Sequence, residues 1–137
     1  MPIRITLTNA SSTRYRGQAE IVASIEKTLK REKVKTARVD VVLVDDKEMK
    51  KLNRRFLNHN TTTDVITFPL EKDPLYGEIY ISLDTARRQA VEYGVGVINE
   101  LSRLAVHGTL HLVGYDDSTE EEAQTMHRLE DRYITSL

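Results

Sequence analysis

The stretch that most constrains the fold is an apolar run from about Val97 to Val113, which has helical periodicity and ends at a glycine. Two histidines, His107 and His111, lie four residues apart inside this run, so both imidazole rings leave the helix on the same face. Gly114 is typical of a helix end, because glycine readily adopts the left-handed backbone conformation. The chain is therefore expected to turn back here, which brings Asp117 within reach of the two rings.

Two imidazoles and one carboxylate are a donor set typical of zinc enzymes, in which a fourth coordination position stays open for water. Water bound there has its pKa lowered toward about 7, so that hydroxide becomes available as a nucleophile at neutral pH. The spacing alone is equally compatible with one packed and one exposed histidine. Gly108 favours the metal site, because a glycine inside a helix costs about 1 kcal/mol relative to alanine and indicates a close approach of another element. We therefore predict a metal held by His107, His111 and Asp117.

Length and composition exclude several classes of protein. The 137 residues suffice for one domain with its own core, and we predict a single domain over residues 1–137. The absence of cysteine excludes disulfides, a thiol nucleophile and a cysteine-rich zinc site. The sequence shows neither a basic-then-apolar leader nor an apolar run of membrane-spanning length, so we expect a cytoplasmic protein without membrane association.

The charge is distributed unevenly along the chain. Residues 1–60 carry 14 Lys and Arg against 7 Asp and Glu, a net of +7, whereas residues 61–137 carry 6 against 14, a net of −8. A basic half beside an acidic, metal-bearing half suits a polyanionic substrate that one part holds and the other cleaves. Lysine-rich helices with solvated faces explain the same counts equally well, so charge alone does not decide.

Patterns of period two and period 3.6 divide the chain into strands and helices. Strands are predicted at Ile3–Leu7, Ala37–Val44, Asp64–Phe68 (stopped by Pro69) and Gly77–Leu83. Helices are predicted from about Tyr15, from Asp46 to about Phe56, from Asp84 to about Glu92, over Val97–Val113, and from a Ser118/Glu121 capping box to about Ile134. The expected fold is α+β, with about four strands in one mixed sheet, about five covering helices and a metal site at the end of a C-terminal helix.

The helix predicted near residues 46–56 has an apolar stripe and a basic face. Met49, Leu52 and Phe56 form the stripe that we expect to be buried. The opposite face is free to contact phosphate groups and carries four cations: Lys50, Lys51, Arg54 and Arg55.

Residues 107–117, HGTLHLVGYDD, resemble the signature of the YbeY family of bacterial endoribonucleases, whose usual form is H-G-x-L-H-L-x-G-Y-D-H. Two further segments lie in the family's order. Leu52-Asn53 followed by residues 63–69 (TDVITFP) is similar to L-N…[TP]-T-D-V-L-S-F-P, and residues 77–82 (GEIYIS) are similar to G-D-I-x-I-S. The resemblance covers nearly the whole chain. It implies an α+β fold, a zinc ion held by three histidines, cleavage of single-stranded RNA in ribosomal RNA maturation and quality control, and ribosomal proteins or an assembly GTPase as partners.

Two positions depart from the family pattern. His107 and His111 match the first two ligands, but the third ligand position holds Asp117. A carboxylate binds zinc at a distance similar to imidazole, yet it reduces the charge of the site, so harder cations such as Mn²⁺ compete better. Leu57 stands where the family usually has an arginine for RNA binding or catalysis, and our hypothesis is that nearby Arg54 and Arg55 compensate.

The resulting hypothesis is metal-assisted hydrolysis of phosphodiesters in single-stranded RNA. A metal-bound water at His107, His111 and Asp117 would act on an RNA backbone held by the basic helix. Glu100 lies seven residues before His107, on the same face, and is a candidate proton shuttle. The other candidate proton shuttles are Asp64 and Asp116.

Other classes of protein fit less well. A zinc protease needs a glutamate directly after the first histidine, where this chain has Gly108, and a serine hydrolase needs a G-x-S-x-G elbow that the sequence lacks. His127 is more typical of a surface or packed histidine than of a ligand. The alternative that stays open is a non-catalytic RNA-binding factor in ribosome assembly, with a structural or lost metal, because Leu57 and Asp117 alter two functional positions.

Overall fold

The computed structural model describes residues 3–57 and 63–135, which form four strands and five helices. The strands are β1 (Ile3–Asn9), β2 (Ala37–Val44), β3 (Val65–Lys72) and β4 (Leu75–Ser82). The helices are α1 (Gln18–Arg31), α2 (Asp46–Leu57), α3 (Leu83–Tyr93), α4 (Val97–Val113) and α5 (Glu120–Tyr133). The predicted α+β class is confirmed. The loop predicted after Leu57 includes residues 58–62, which lie outside the described residues.

The strands form one mixed sheet in the order β1-β2-β4-β3. β1, β2 and β4 run parallel, and β3 pairs with β4 in the antiparallel direction. The predicted end of β3 at Pro69 is wrong, since the strand continues to Lys72 with a register shift between Pro69 and Glu71. β3 is an edge strand, where a proline is tolerated because the outer side of the strand has no ladder bond to lose.

The main core lies between α1, α4 and one face of the sheet. Ile25 of α1 and Leu101 of α4 are fully buried there against Val41 and Ile79 of the two central strands. A smaller cluster, formed by Val44, Met49 and Ile66, joins α2 to the opposite face. α4 also contacts edge strand β3, so this helix lies over the pair formed by β3 and β4.

Two glycines let α4 approach the sheet closely. A Cβ atom added at Gly108 would lie 2.8 Å from Cγ2 of Ile79, and one added at Gly77 would lie 2.3 Å from Cδ2 of Leu112. Both contacts are shorter than side chains tolerate, which explains why a helix interior contains the glycine predicted to mark a close approach. Because Gly108 lies between His107 and His111, α4 approaches the sheet closely at the same turn from which the two histidines emerge.

Several helix ends differ from their predictions by a few residues. The capping box of α5 is formed by Thr119 and Glu122 rather than Ser118 and Glu121. Ser118 Oγ instead donates to Asp116 and to Glu122, which places it in the preceding turn. Within the described residues, no helix is long and apolar enough to cross a membrane.

Candidate metal centre and nucleic-acid interface

The end of α4 brings the three predicted ligands together. Gly114 adopts φ = 118°, and its backbone N–H and that of Tyr115 both donate to the carbonyl oxygen of Leu110, which closes the helix. Asp116 then accepts a hydrogen bond of 2.8 Å from the backbone N–H of Asp117. This turn directs the Asp117 carboxylate back toward the histidine rings, as the sequence predicts.

The distances within this cluster fit a divalent cation. The two Nε2 atoms of His107 and His111 lie 3.1 Å apart. Asp117 places Oδ2 3.3 Å from Nε2 of His107 and Oδ1 3.6 Å from Nε2 of His111. Ligand atoms held at about 2.0–2.1 Å around a tetrahedral zinc ion lie about 3.3 Å from one another. The two Asp117 distances involve different oxygens, and with one ligand atom taken from each residue the three atoms all lie within 4.8 Å of one another. The three side chains are therefore close enough together to bind one cation.

The hydrogen bonds of the outer ring nitrogens direct both Nε2 lone pairs into the cluster. His111 Nδ1 lies 3.0 Å from the carbonyl oxygen of Tyr115, which can only accept, so Nδ1 carries the proton. His107 Nδ1 lies 2.6 Å from Oε2 of Glu130 and donates to this carboxylate. In the neutral rings, both Nε2 atoms are then acceptors that face each other and a carboxylate. A cation is the group that satisfies such a donor set.

Glu130 of α5 is a further residue beside the cluster, which the sequence did not reveal. Its side chain is only 1% exposed, and it accepts hydrogen bonds from His107, Arg103 and His127. Burial would raise the pKa of Glu130, but its bonds and charge interactions with the two histidines hold it below the usual value. An ionised carboxylate behind a metal-ligating histidine fixes the orientation of the ring and increases its basicity. His127, predicted to be a surface or packed histidine rather than a ligand, is exposed and lies 3.2 Å from Oε1 of Glu130.

Nearby carboxylates raise the pKa of His107. Its burial would lower the pKa, but the hydrogen bond and charge of Glu130 outweigh burial, and the charges of Asp117 and Asp64 add to the effect. The pKa of His107 is therefore raised above its ordinary value. The local field favours positive charge at Nε2, which is the field that a cation also requires.

The structure does not bring Glu100 to the cluster, so its predicted role as a proton shuttle is not supported. Glu100 is fully buried, and its carboxylate accepts from Arg103 at 2.6 Å and from Gln89 at 2.7 Å. The seven-residue spacing does place Glu100 on the same face of α4 as His107, but the two residues lie about 10 Å apart along the helix axis. Because Arg103 also donates to Glu130, Glu100 supports the cluster indirectly. Of the other two candidate shuttles, Asp116 shapes the turn, whereas the charge of Asp64 acts on His107.

An open cleft of about 350 Å³ borders the cluster. It runs between edge strand β3 and the C-terminal half of α4. Its described lining consists of Leu57, Val65, Ile66, Thr67, Pro69, His107, His111 and Leu112. Leu57, where the family usually has an arginine, therefore lines the same cleft as the ligands His107 and His111.

The predicted basic helix leads into this cleft. α2 ends at Leu57 in the cleft wall, and Lys51, Arg54 and Arg55 line a neighbouring depression one turn earlier. Lys50 is exposed on the same helix but does not line that depression. The predicted burial of Phe56 is wrong, since this side chain is 55% exposed and its ring packs edge-on against Phe68, with 5.4 Å between centroids. An exposed aromatic ring is thus available between the basic helix and the cleft.

A family model described as endoribonuclease YbeY matches residues 5–137. The chain belongs to this family. An endoribonuclease YbeY of Chlorobaculum parvum is 37% identical over all of this chain and 96% of the relative, and one of Chlorobium phaeovibrioides is 37% identical over 88% of this chain and 82% of the relative. The solution structure of TM1509 from Thermotoga maritima is 31% identical, with a TM-score of 0.66 over 96% of this chain and 86% of that chain. The family resemblance and the α+β fold predicted from sequence are confirmed.

Proposed function

We propose that this chain is a metal-dependent endoribonuclease that hydrolyses phosphodiester bonds of single-stranded RNA in ribosomal RNA processing. The observation that carries the proposal is the cluster of His107, His111 and Asp117, whose donor atoms all lie within 4.8 Å of one another beside an open cleft. The relatives are endoribonucleases by name, which supports RNA as the substrate.

In this proposal His107, His111 and Asp117 hold one divalent cation per chain. Such a cation, when bound, stabilises charge on a phosphate oxygen and lowers the pKa of water. Two imidazoles favour zinc, while the carboxylate of Asp117 makes Mn²⁺ a better competitor than at a site with three histidines. Glu130 is a positioning residue, since it holds the ring of His107 and touches no reacting atom. Asp64 is the proposed proton-transfer group, because its charge reaches His107.

The RNA strand is proposed to enter along α2. The phosphate backbone is bound by four cations of this helix: Lys50, Lys51, Arg54 and Arg55. Because α2 ends at Leu57 in the cleft wall, a strand bound along the helix reaches the cleft. Phe56 offers an exposed ring on which one base stacks without sequence preference. Stacking requires an unpaired base, which favours a single-stranded substrate. Replacing Arg54 and Arg55 with alanine should weaken RNA binding, and unchanged RNA cleavage would contradict their proposed role.

The rival function is a non-catalytic RNA-binding factor in ribosome assembly, and ribosomal proteins or an assembly GTPase are proposed partners under either function. In a chain that had lost its metal site, the three ligand side chains should have moved apart, whereas here their donor atoms lie within 4.8 Å of one another. A purely structural metal should be enclosed, whereas the Asp117 side chain is 40% exposed and the cluster borders a cleft. Open access to the metal is a property of catalytic sites.

The decisive experiment measures metal content by elemental mass spectrometry on untagged protein, with RNA cleavage assayed in parallel. We expect about one transition metal per chain in the wild type, loss in Asp117→Ala and retention in Asp117→His. Asp131→Ala, which removes an exposed carboxylate from α5, is the matched control and should keep the metal. A wild type without metal, in which only Asp117→His binds it, would favour the RNA-binding alternative.

A further inference from the structure

A larger cavity, of about 620 Å³, lies at the opposite end of α4 from the metal cluster. Segments from three places meet there: the connection between β1 and α1, the start of α3 and the start of α4. The described residues that line it are Arg14, Tyr15, Arg16, Leu83, Arg87, Gly96, Val97 and Ile98. Three of these eight residues are arginines and none is acidic, so we call it the arginine cavity.

The three arginines have no counter-ion among the residues that the structure describes. Arg14, Arg16 and Arg87 are all exposed, and within residues 3–57 and 63–135 none makes an ion pair or a hydrogen bond. Their neighbour Arg88, by contrast, pairs with Asp46 at 2.7 Å. Three like charges around one cavity create a positive potential, which attracts an anion. The charge pattern therefore indicates an anionic ligand.

The backbone adds to the positive potential of the cavity. Gly96 is the N-cap of α4 and has no side chain that could accept from the first-turn N–H groups. Val97 and Ile98, which belong to that first turn, line the cavity. The N-terminus of a 17-residue helix carries about half a positive charge, which favours phosphate.

The floor of the cavity is apolar and held in place. It consists of Tyr15, Leu83, Val97 and Ile98. The connection that carries Arg14 and Arg16 packs against this floor at Gly17, where φ is 101° and an added Cβ would lie 2.7 Å from Cγ1 of Ile98. An apolar floor beneath a few charged groups is the usual composition of a small-ligand site. A base on the floor and a phosphate at the arginines would match a nucleoside phosphate.

We propose that the arginine cavity is a second RNA site, which holds one nucleotide of the single-stranded substrate away from the point of cleavage. This inference rests on the proposed endoribonuclease function. Arginine binds phosphate through a planar pair of donors, so three arginines suit a phosphate better than a diffuse basic patch does. Val97 lies ten residues before His107, or about 15 Å along α4, so a bound strand can occupy both sites. The cavity contributes affinity, and the metal cluster performs the chemistry.

The test compares the triple variant Arg14→Ala, Arg16→Ala, Arg87→Ala with a control that removes three exposed arginines elsewhere: Arg4→Ala, Arg31→Ala, Arg132→Ala. Binding of a fluorescent single-stranded oligoribonucleotide is measured by anisotropy over a range of salt concentrations, and cleavage kinetics are measured separately. In the cavity variant we expect Kd and KM to rise at least ~10-fold with kcat unchanged. The salt slope should fall by about 0.7, because the cavity holds one phosphate and each phosphate contact on a single strand contributes about 0.7. The control variant should change Kd less than about twofold.

A second measurement follows the methyl resonance of Ile98 during titration with the oligoribonucleotide and, separately, with a nucleoside 5′-monophosphate. The oligoribonucleotide should shift the resonance at the lower concentration. Tighter binding of the mononucleotide would overturn RNA as the occupant in favour of a free nucleotide. Equal RNA binding by the wild type and the cavity variant would overturn the proposal and leave an acidic protein segment as the occupant that fits. An equal loss of RNA affinity in the control variant would also overturn it, because net charge alone would then explain the loss. Weaker RNA binding by the cavity variant in a protein that does not cleave RNA would refute the proposed function and leave this site standing.

Discussion

Replacing Glu130 with glutamine should weaken metal binding without unfolding the chain. Glu130 Oε2 lies 2.6 Å from Nδ1 of His107 and is almost fully buried, so the bond is charge-assisted and shielded from solvent. Loss of such a partner behind a metal ligand typically costs about 10–100-fold in affinity, or about 1.4–2.8 kcal/mol. A glutamine oxygen still accepts from Nδ1, so Glu130→Gln should lie near tenfold and Glu130→Ala near the upper limit. Arg103 keeps its bond to Glu100 in both variants.

Competition for Zn²⁺ between the protein and a chelating indicator measures this loss directly. Glu121→Gln is the matched control, because it makes the same substitution on an exposed position of α5. The metal-dependent rise in Tm gives a second readout, since a tenfold lower affinity removes about 1.4 kcal/mol of stabilisation at saturating metal. A correctly folded Glu130→Gln protein with wild-type Zn²⁺ affinity would refute the reasoning that Glu130 positions His107.

Three further outcomes follow from the structure. Gly108→Ala should lower the free energy of unfolding by up to about 2 kcal/mol in chemical denaturation, because overpacking against Ile79 costs about 1–3 kcal/mol and helix propensity returns about 1. Asp46→Asn should lower the free energy of unfolding at neutral pH and make it depend less on acid pH, as measured by urea titrations. Burial opposes ionisation of Asp46, but hydrogen bonds from Ser82, Thr85 and Arg88 hold its pKa below the ordinary 3.8. The ionised carboxylate therefore stabilises the fold fully above pH 3.8, and this stabilisation is lost as the pH falls through the lowered pKa. A chelator should abolish RNA cleavage but leave the circular dichroism spectrum unchanged, because the cluster lies at the rim of the fold rather than in its core.

The parts of the site that local sequence encodes could be predicted from the sequence. Helix α4 has the predicted bounds Val97–Val113, because its periodicity and its terminal glycine are local features. The meeting of His107, His111 and Asp117 follows from the four-residue spacing and from that helix end. The glycine at position 108 also indicated a close approach correctly, although the sequence did not identify Ile79 as the contact.

The parts that depend on tertiary contacts could not be predicted. Glu130 lies on a different helix from its partner His107, and no local pattern joins the two. One signal was present: Met126, Glu130 and Tyr133 occupy the same buried stripe of α5, so a carboxylate stood where the pattern requires an apolar side chain. The contacts of Glu100 with Gln89 and Arg103 could not be predicted for the complementary reason: helical spacing gives the face of a side chain but not the partners that bury it.

The two departures from the family pattern act on the same cleft and in the same direction. Asp117 replaces a neutral imidazole with a carboxylate, and Leu57 replaces a guanidinium with an apolar side chain. Together they lower the charge around the bound cation by two units relative to the usual pattern, which weakens the attraction of the cleft for a phosphodiester. More of the affinity for RNA must then come from groups outside the cleft. The cations of α2 and the arginines of the arginine cavity are such groups. A chain with this pair of substitutions should therefore depend more on its remote basic residues than a relative with both usual residues. Because the cleft lacks one arginine contact to phosphate, its KM should also rise less steeply with salt.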